Sequence, residues 1–349
     1  LERIPISPPV ISPLDSVQYR PVWSVMIPVY NCSDYLVENL ESVLRQDLGE
    51  ELMQIEVVDD ASTDADIENI VSDLGKGRIG YFRQAANVGS LRNFETCFKR
   101  SKGKFIHLLH GDDLVKPGFY DKITALFKDY PEAGAAFSNY DFINEFGVKT
   151  HTNQPEADQE GILSNWLTKI AGKQRIQYAA MVVKREVYET LGGFYGTSYG
   201  EDWEMWVRIA KSYPVAYSPK VLAQYRTHPQ SISWNHSSFS QIHSDLIFVL
   251  DKIRIHLPEQ DRKKVLKKSK FNSAKSLLGI VYRNLENRPP FPFIQAYMGK
   301  IVSMSIHPFI LAHLVNIYYK MIKADASYKL QCMGRKLPEK IKTYFYYGQ

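Results

Sequence analysis

Between Trp23 and Tyr130 the chain alternates short apolar runs of strand type with stripes of helical spacing, an order few architectures satisfy. The run Trp23-Ser-Val-Met-Ile-Pro-Val-Tyr30 reads as a buried first strand that stops at Asn31. Ser33 stands where it can cap the next helix, in which Leu36, Leu40, Val43 and Leu44 share a face. Residues 54–58 form a second strand, and Ile67, Ile70, Val71 and Leu74 stripe a second helix. Residues 78–83 make a third strand, Leu91, Phe94 and Phe98 mark a third helix, and residues 104–109 are a strongly apolar fourth strand. A helix over 117–130 follows, with Tyr120, Ile123, Phe127 and Tyr130 on one side. Parallel strands need long crossovers, and the intervening helices supply them. The expectation is an α/β fold with a mostly parallel central sheet flanked by helices and with ligands at the carboxyl ends of the strands.

Beyond this core the pattern predicts a strand near 135–138, then a polar, pattern-free surface loop over 144–158 suited to a lid. A strand over 179–183 and a short helix over 185–191, stopped by Gly192-Gly193, come next. Past Gly200 a helix carries Trp203, Trp206, Val207 and Ala210 on one face, which makes both tryptophans core residues. Trp166 and Trp234 lack such a stripe and are the candidates for stacking on the ring of an acceptor ligand. Residues 1–20 hold Pro5, Pro8, Pro9 and Pro13 and form an extended arm with no assigned fold. At 349 residues the chain exceeds what one core usually serves. The division expected is an arm at 1–20, a catalytic α/β domain at 21–240 and a basic helical C-terminal region at 241–349.

Charge divides along the same line. From Asp251 onward there are 19 Lys and Arg against 6 Asp and Glu, a net +13, whereas residues 1–250 carry 24 against 32, a net −8. An acidic body suits metal capture, and a basic tail suits anionic surfaces such as lipid headgroups or nucleic acid. Three widely spaced cysteines, Cys32, Cys97 and Cys332, support neither a disulfide framework nor a zinc site and fit a cytoplasmic setting. No run of 18 residues is free of polar groups, so no spanning helix is expected, while the start at Leu1 leaves a preceding targeting segment open. In the tail, the basic run 262–270 and the stripe Phe309, Ile310, Leu314, Ile317, Tyr318 and Met321 read first as a helical appendage packed on the body. The sharper reading is peripheral contact with anionic lipid on the cytoplasmic face of the inner membrane.

Three acid pairs stand at strand ends or loop-to-helix junctions: Asp59-Asp60, Asp112-Asp113 and Glu201-Asp202. Any one pair alone reads as a helix cap or a solvated turn, but three on one edge of a sheet point to a site. A diphosphate leaving group concentrates negative charge, and Mn²⁺ or Mg²⁺ held by carboxylates answers that need; Asp112 and Asp113 are placed for it. A base must also take the proton of an attacking hydroxyl, and Asp202 at a helix start is the candidate.

The ordered segments Ile27-Pro-Val-Tyr-Asn31, Val57-Val-Asp-Asp-Ala-Ser-Thr-Asp64, Asn87-Val-Gly89 with Arg92-Asn93, Gly111-Asp-Asp113 with Pro117-Gly118, Gly192-Gly-Phe194 and Gly200-Glu-Asp-Trp203 resemble the motifs of family 2 inverting glycosyltransferases with the GT-A fold. The resemblance runs from about Val22 to Ser233. It implies a nucleotide-sugar cleft lined by Pro28, Tyr30, Asn31, Asn87 and Glu201, with Asp59 and Asp60 toward the base and Arg92 toward the base or phosphates. It implies further that Asp113 holds the metal, that Asp112 meets donor sugar or ribose, and that Asp202 is the base. The segment 226–233 resembles the end of the family's domain, which makes His228 a further metal or phosphate contact. One departure stands out: His110 occupies a position where many relatives carry an acid, either touching the ribose or ending a buried strand.

The expected activity is therefore inverting transfer from a nucleotide-diphosphate sugar, a UDP-sugar first, to a hydroxyl of a saccharide or lipid-linked saccharide in bacterial surface polysaccharide assembly. A sugar-nucleotide-forming nucleotidyltransferase is disfavoured because its glycine- and arginine-rich phosphate loop is missing. A non-catalytic nucleotide-sugar binder is the other alternative. A nucleic-acid reader is disfavoured by the acidic body and the lack of any recognised module, so no nucleic-acid partner is expected.

Overall fold

The computed structural model describes residues 2–14, 20–228, 239–285 and 291–336. By contact pattern it divides into two compact units, Leu1–Leu266 and Lys267–Gln349.

The first unit follows the expected alternation. Strand β1 (Trp23–Val29) leads to helix α1 (Ser33–Leu44), β2 (Met53–Asp59) to α2 (Ile67–Gly75), β3 (Gly80–Arg83) to α3 (Ser90–Arg100), and β4 (Phe105–Leu108) through the short β5 (Leu114–Val115) to α4 (Phe119–Asp129). Next come β6 (Ala135–Ile143), β7 (Lys149–Thr152), β8 (Gly161–Ile162), α5 (Trp166–Gly172), a 3₁₀ turn at Tyr178–Ala180, β9 (Met181–Lys184), α6 (Arg185–Leu191), α7 (Glu201–Ser212) and β10 (Val215–Arg226). Helices α8 (Phe239–His256) and α9 (Glu259–Leu285) follow.

The sheet order is β3-β2-β1-β4-β9-β6-β10-β5. Strands β3, β2, β1 and β4 run parallel, β9 enters antiparallel between β4 and β6, β6 and β10 are again parallel, and β5 closes one edge antiparallel. All seven residues of β1 are buried, as a central strand covered on both faces requires. Its side chains Trp23, Val25, Ile27 and Val29 join Leu36, Leu40 and Val43 of α1 and Phe119, Ile123 and Phe127 of α4 in one core. Burial of that apolar area is what holds helices to sheet.

Four expectations need correction. Residues 144–158 are not a featureless loop, because β7 folds back on β6 as an antiparallel hairpin. Its turn is local: Asn144 Oδ1 accepts from the amides of Phe146 at 3.0 Å and Val148 at 2.9 Å, and Gly147 takes φ +74°. Since β7 is exposed along its length, it carries no apolar alternation to announce it. Strand β10 had no expected counterpart; its register with β6 shifts twice, between Ser218 and Val221 and between Val221 and Ala223, which breaks the period of two that marks a strand. Ser33 starts α1 rather than capping it, and its amide donates to Asp64 Oδ2 at 2.9 Å. Trp166 is a core residue whose ring lies tilted against Phe137, centres 5.4 Å apart, so it is closed to an acceptor. Trp234 lies outside the described residues.

In the second unit, α10 (Phe291–Met304) packs on α11 (Pro308–Lys336). Helix α11 carries two apolar stripes. Ile310, Leu314 and Ile317 are buried, while Leu311, Val315, Tyr318 and Ile322, at spacings of four, three and four, are exposed. Among the described residues no helix is long and apolar enough to cross a membrane.

Candidate active site

The carboxyl ends of β1, β2 and β4 meet on one edge of the sheet, and the expected acids gather there. Asn31, just past β1, adopts φ +48°, a left-handed conformation Asn tolerates, and its Oδ1 accepts from Thr63 N at 2.8 Å. Pro28 O accepts from Gly111 N at 3.3 Å, and Tyr30 is half exposed at the mouth. A Cβ on Gly111 would lie 2.9 Å from Cys32 Sγ and 3.1 Å from Val29 Cγ2, so glycine is what lets the β1 and β4 ends approach.

Both acids of the β2 pair are engaged by the protein. Asp59 is wholly buried, accepts from Ser62 N at 2.8 Å and Tyr81 Oη at 2.9 Å, and pairs with Arg83. Asp60 accepts from the amides of Val88 at 2.7 Å and Gly89 at 2.9 Å. Burial pushes its carboxyl above the ordinary value, and those two amides work against the rise. The pair therefore shapes the cleft by fixing the loop before α3. Asn87 and Arg92, on that loop and the helix after it, turn toward the N-terminal arm: Asn87 Oδ1 accepts from Arg3, while Arg92 pairs with Glu95 at 2.7 Å and donates to Glu2 O at 2.9 Å.

At the end of β4 the side chains are held in a different way. Asn39, buried on α1, donates through Nδ2 to His110 O at 2.8 Å and Asp113 O at 2.7 Å. Arg226 at the end of β10 donates its amide to Asp113 Oδ1 at 2.9 Å and its Nε to Asp112 O at 2.8 Å. Neither Asn39 nor Arg226 was singled out from sequence, because each acts on backbone brought close only by folding. His228 Nε2 lies 2.9 Å from Asp112 Oδ2. Burial tends to raise the Asp112 carboxyl, but the His228 bond and the nearby imidazoles hold it below the ordinary value. Asp113 goes the other way, pushed well up by burial and by the negative charge of Asp112.

The donor set fits a divalent cation. His110, Asp112 and Asp113 each offer a ligand atom, all within 4.8 Å of one another, the one such group among the described residues. Among the described residues nothing hydrogen-bonds the buried Asp113 Oδ2 and His110 Nε2, an expensive arrangement unless something binds them. Two carboxylates with an imidazole suit Mn²⁺, which accepts both oxygen and nitrogen. His228 stands behind Asp112 rather than within that group. His110, by contrast, offers itself as a ligand beyond the two roles weighed for it from sequence.

The third pair opens α7. Asp202 Oδ1 accepts from Trp203 N at 2.6 Å, and Oδ2 accepts from Gln174 Nε2. Burial raises the Asp202 carboxyl to about 6 against the pull of those two donors. Glu201, pushed well above the ordinary value by burial and by the charge of Asp202, accepts from Tyr178 Oη at 3.1 Å. Tyr178 in turn stacks on His110, ring centres 4.3 Å apart, with Phe94 on the imidazole at 5.1 Å. This tyrosine ties the α7 pair to the β4 pair, and burial lowers the sandwiched imidazole to about 4, so it is neutral at pH 7. Tyr178 carried no sequence signal, since it sits on a single 3₁₀ turn.

Residues 24–192 match the model of the family described as glycosyl transferase family 2. An uncharacterized glycosyltransferase of Haemophilus influenzae is 24% identical over 226 residues, covering 62% of this chain and 69% of that protein. Among solved structures, Staphylococcus aureus TarS 1–349 in complex with UDP-GlcNAc aligns with TM-score 0.62 at 14% identity, covering 88% of this chain and 92% of that one. A mannosyltransferase of Pyrobaculum calidifontis in complex with GDP-Man and Mn²⁺ aligns with TM-score 0.54 at 18% identity, covering 91% and 90%.

Proposed function

The chain carries a family 2 glycosyltransferase domain of the GT-A fold, and from that premise we propose that it transfers a sugar from a UDP-sugar to an acceptor hydroxyl with inversion, using Asp202 as base. The observation that carries the reading is the bridge His110–Tyr178–Glu201, which links the group His110, Asp112 and Asp113 to Glu201, the chain neighbour of Asp202 at the start of α7. In this reading the leaving group is held at the first end of the bridge and the base stands beside the second.

In the proposed step the acceptor oxygen attacks the anomeric carbon from the face opposite the nucleotide. The bond to the diphosphate oxygen breaks, its electron pair leaves with the nucleoside diphosphate, and the acceptor proton passes to a carboxylate oxygen of Asp202. Asp113, with Asp112 and His110, would hold Mn²⁺ or Mg²⁺, which when bound neutralises charge growing on the diphosphate. His228 keeps Asp112 ionised and oriented. Tyr178 keeps Glu201 in place and packs the neutral His110 against Phe94. UDP is favoured as the donor nucleotide by the UDP-GlcNAc complex of TarS, and Mn²⁺ by the Pyrobaculum enzyme.

The acceptor is a growing saccharide, free or lipid-linked, of the kind used in bacterial surface polysaccharides. The basic second unit, with its exposed stripe on α11, would bring the enzyme to anionic lipid on the cytoplasmic side of the membrane, where a lipid-carried acceptor resides.

Asp202→Asn tests the base. Turnover should fall by at least about 10²-fold, the lower end of what a positioned base contributes, while the Kd for UDP stays within about twofold. Turnover near that of the unaltered chain would remove Asp202 from the role.

A further inference from the structure

The arm at residues 2–14 is seated along the first unit. Pro5 O accepts from Gly196 N at 2.7 Å, Pro9 O from Gly193 N at 2.9 Å, and Ser12 O from Arg185 Nη2 at 3.1 Å, while Ile11 is fully buried. Gly192, at φ +77°, completes the seat: a Cβ there would lie 2.8 Å from both Pro8 Cβ and Pro9 O. Prolines suit such a segment because their fixed φ lowers the entropy lost when it is ordered.

The arm delivers Arg3 to the cleft. Its guanidinium donates to Asn87 Oδ1 and lies over Gly89, where a Cβ would come within 3.2 Å of Nε. Asn87 to Gly89 is the loop that Asp60 holds by two amides at the carboxyl end of β2. The other arginines nearby are committed, Arg83 to Asp59, Arg92 to Glu95 and Arg100 to Glu56. Among the described residues no carboxylate lies at ion-pair distance from Arg3. Its nearest acid of consequence, Asp60, already accepts from two amides. Arg92 spends its Nε on Glu2 O and so fixes the arm instead of reaching into the cleft itself.

We propose that Arg3 is a donor-binding residue that grips the nucleoside end of the sugar nucleotide. The inference rests on the reading that Asp113 and its neighbours take the diphosphate at the end of β4. β2 is two strand spacings from β4, roughly 10 Å, which is about the reach from diphosphate to base. A guanidinium there presents a planar fork of donors to the carbonyl and hydroxyl oxygens of the nucleoside. The arm is thus one wall of the cleft, contributed from sequence that precedes the family-matched segment.

The test is titration of the full chain and its Arg3→Ala and Arg3→Lys variants with UDP, and separately with uridine monophosphate, each with and without Mn²⁺. Arg3→Ala should weaken both ligands by about tenfold, the order expected for losing a partly exposed charged donor, with the Mn²⁺ dependence unchanged. Arg3→Lys should fall between, since an ammonium lacks the fork, and the Tm of both ligand-free variants should match the unaltered chain. Asp113→Asn should instead abolish the Mn²⁺-dependent part of UDP binding. Binding of both ligands by Arg3→Ala within twofold of the unaltered chain would overturn the role of Arg3 and leave the reading of Asp113 standing. Tighter binding by Arg3→Ala would also overturn it, by showing that the arm obstructs the cleft. An unaltered chain that bound neither ligand would overturn both.

Discussion

As the proposed base, Asp202 must be ionised to accept a proton, and its carboxyl is raised to about 6 because burial outweighs the donors Trp203 N and Gln174. Below that pH the base is protonated, so kcat/KM should fall on the acid side with a midpoint near 6 and level off above it. Replacing Gln174 with Leu removes a bond to the charged form and should move that midpoint to higher pH. An unmoved acid limb would mean that another group titrates. Asp113 Oδ2 is buried without a partner among the described residues, and if Asp113 is the proposed metal ligand, Asp113→Asn should lose Mn²⁺ affinity measured by equilibrium dialysis. Legibility at this scale was uneven. The pairs Asp112-Asp113 and Glu201-Asp202 are conspicuous in sequence, the first after a strand and the second at a helix start, whereas Tyr178, Asn39 and Arg226 are not. Their partners lie far along the chain, and residue type alone does not reveal that Arg226 spends its side chain on carbonyls 81 to 114 residues away.

The elements divide in the same way between local and remote causes. Strands β1, β2 and β4 were legible as short apolar runs covered on both faces, and helices α1 to α4 because each buries an apolar stripe with a period of 3.6 residues. β10 was hidden by its two register shifts, and β7 by having no buried face. Yet β10 matters to the site, since its last residue anchors the Asp112-Asp113 turn from one side while α1 anchors it from the other through Asn39. Asn39→Leu should leave two carbonyls without their donor and lower stability by about 2–4 kcal/mol, taking roughly 1–2 for each. Urea unfolding would measure that loss, and Mn²⁺ affinity should fall with it as the turn loosens. A variant of unchanged stability would mean that water replaces the amide at no cost.

For the whole molecule the dominant fact is an acidic body joined to a strongly basic C-terminal region. If that region docks on lipid, binding to phosphatidylserine vesicles should weaken steeply between about 0.05 and 0.5 M salt, because screening shortens the reach of each lysine. Val315→Glu, within the exposed stripe of α11, should weaken it further at constant salt. Equal sedimentation with neutral and anionic vesicles would rule the docking out. Length, hydrophobic period and charge sufficed to indicate the α/β class and the order of the parallel strands' elements, since those follow from local apolar periodicity. Which acid faces a ligand was a tertiary matter. Asp59 and Asp60 look in sequence like Asp112 and Asp113, but folding surrounds the first pair with an arginine, a tyrosine and three loop amides, and leaves Asp113 with a buried oxygen that nothing among the described residues satisfies. A carboxylate's function depends on which donors reach it, and only the packed chain decides that.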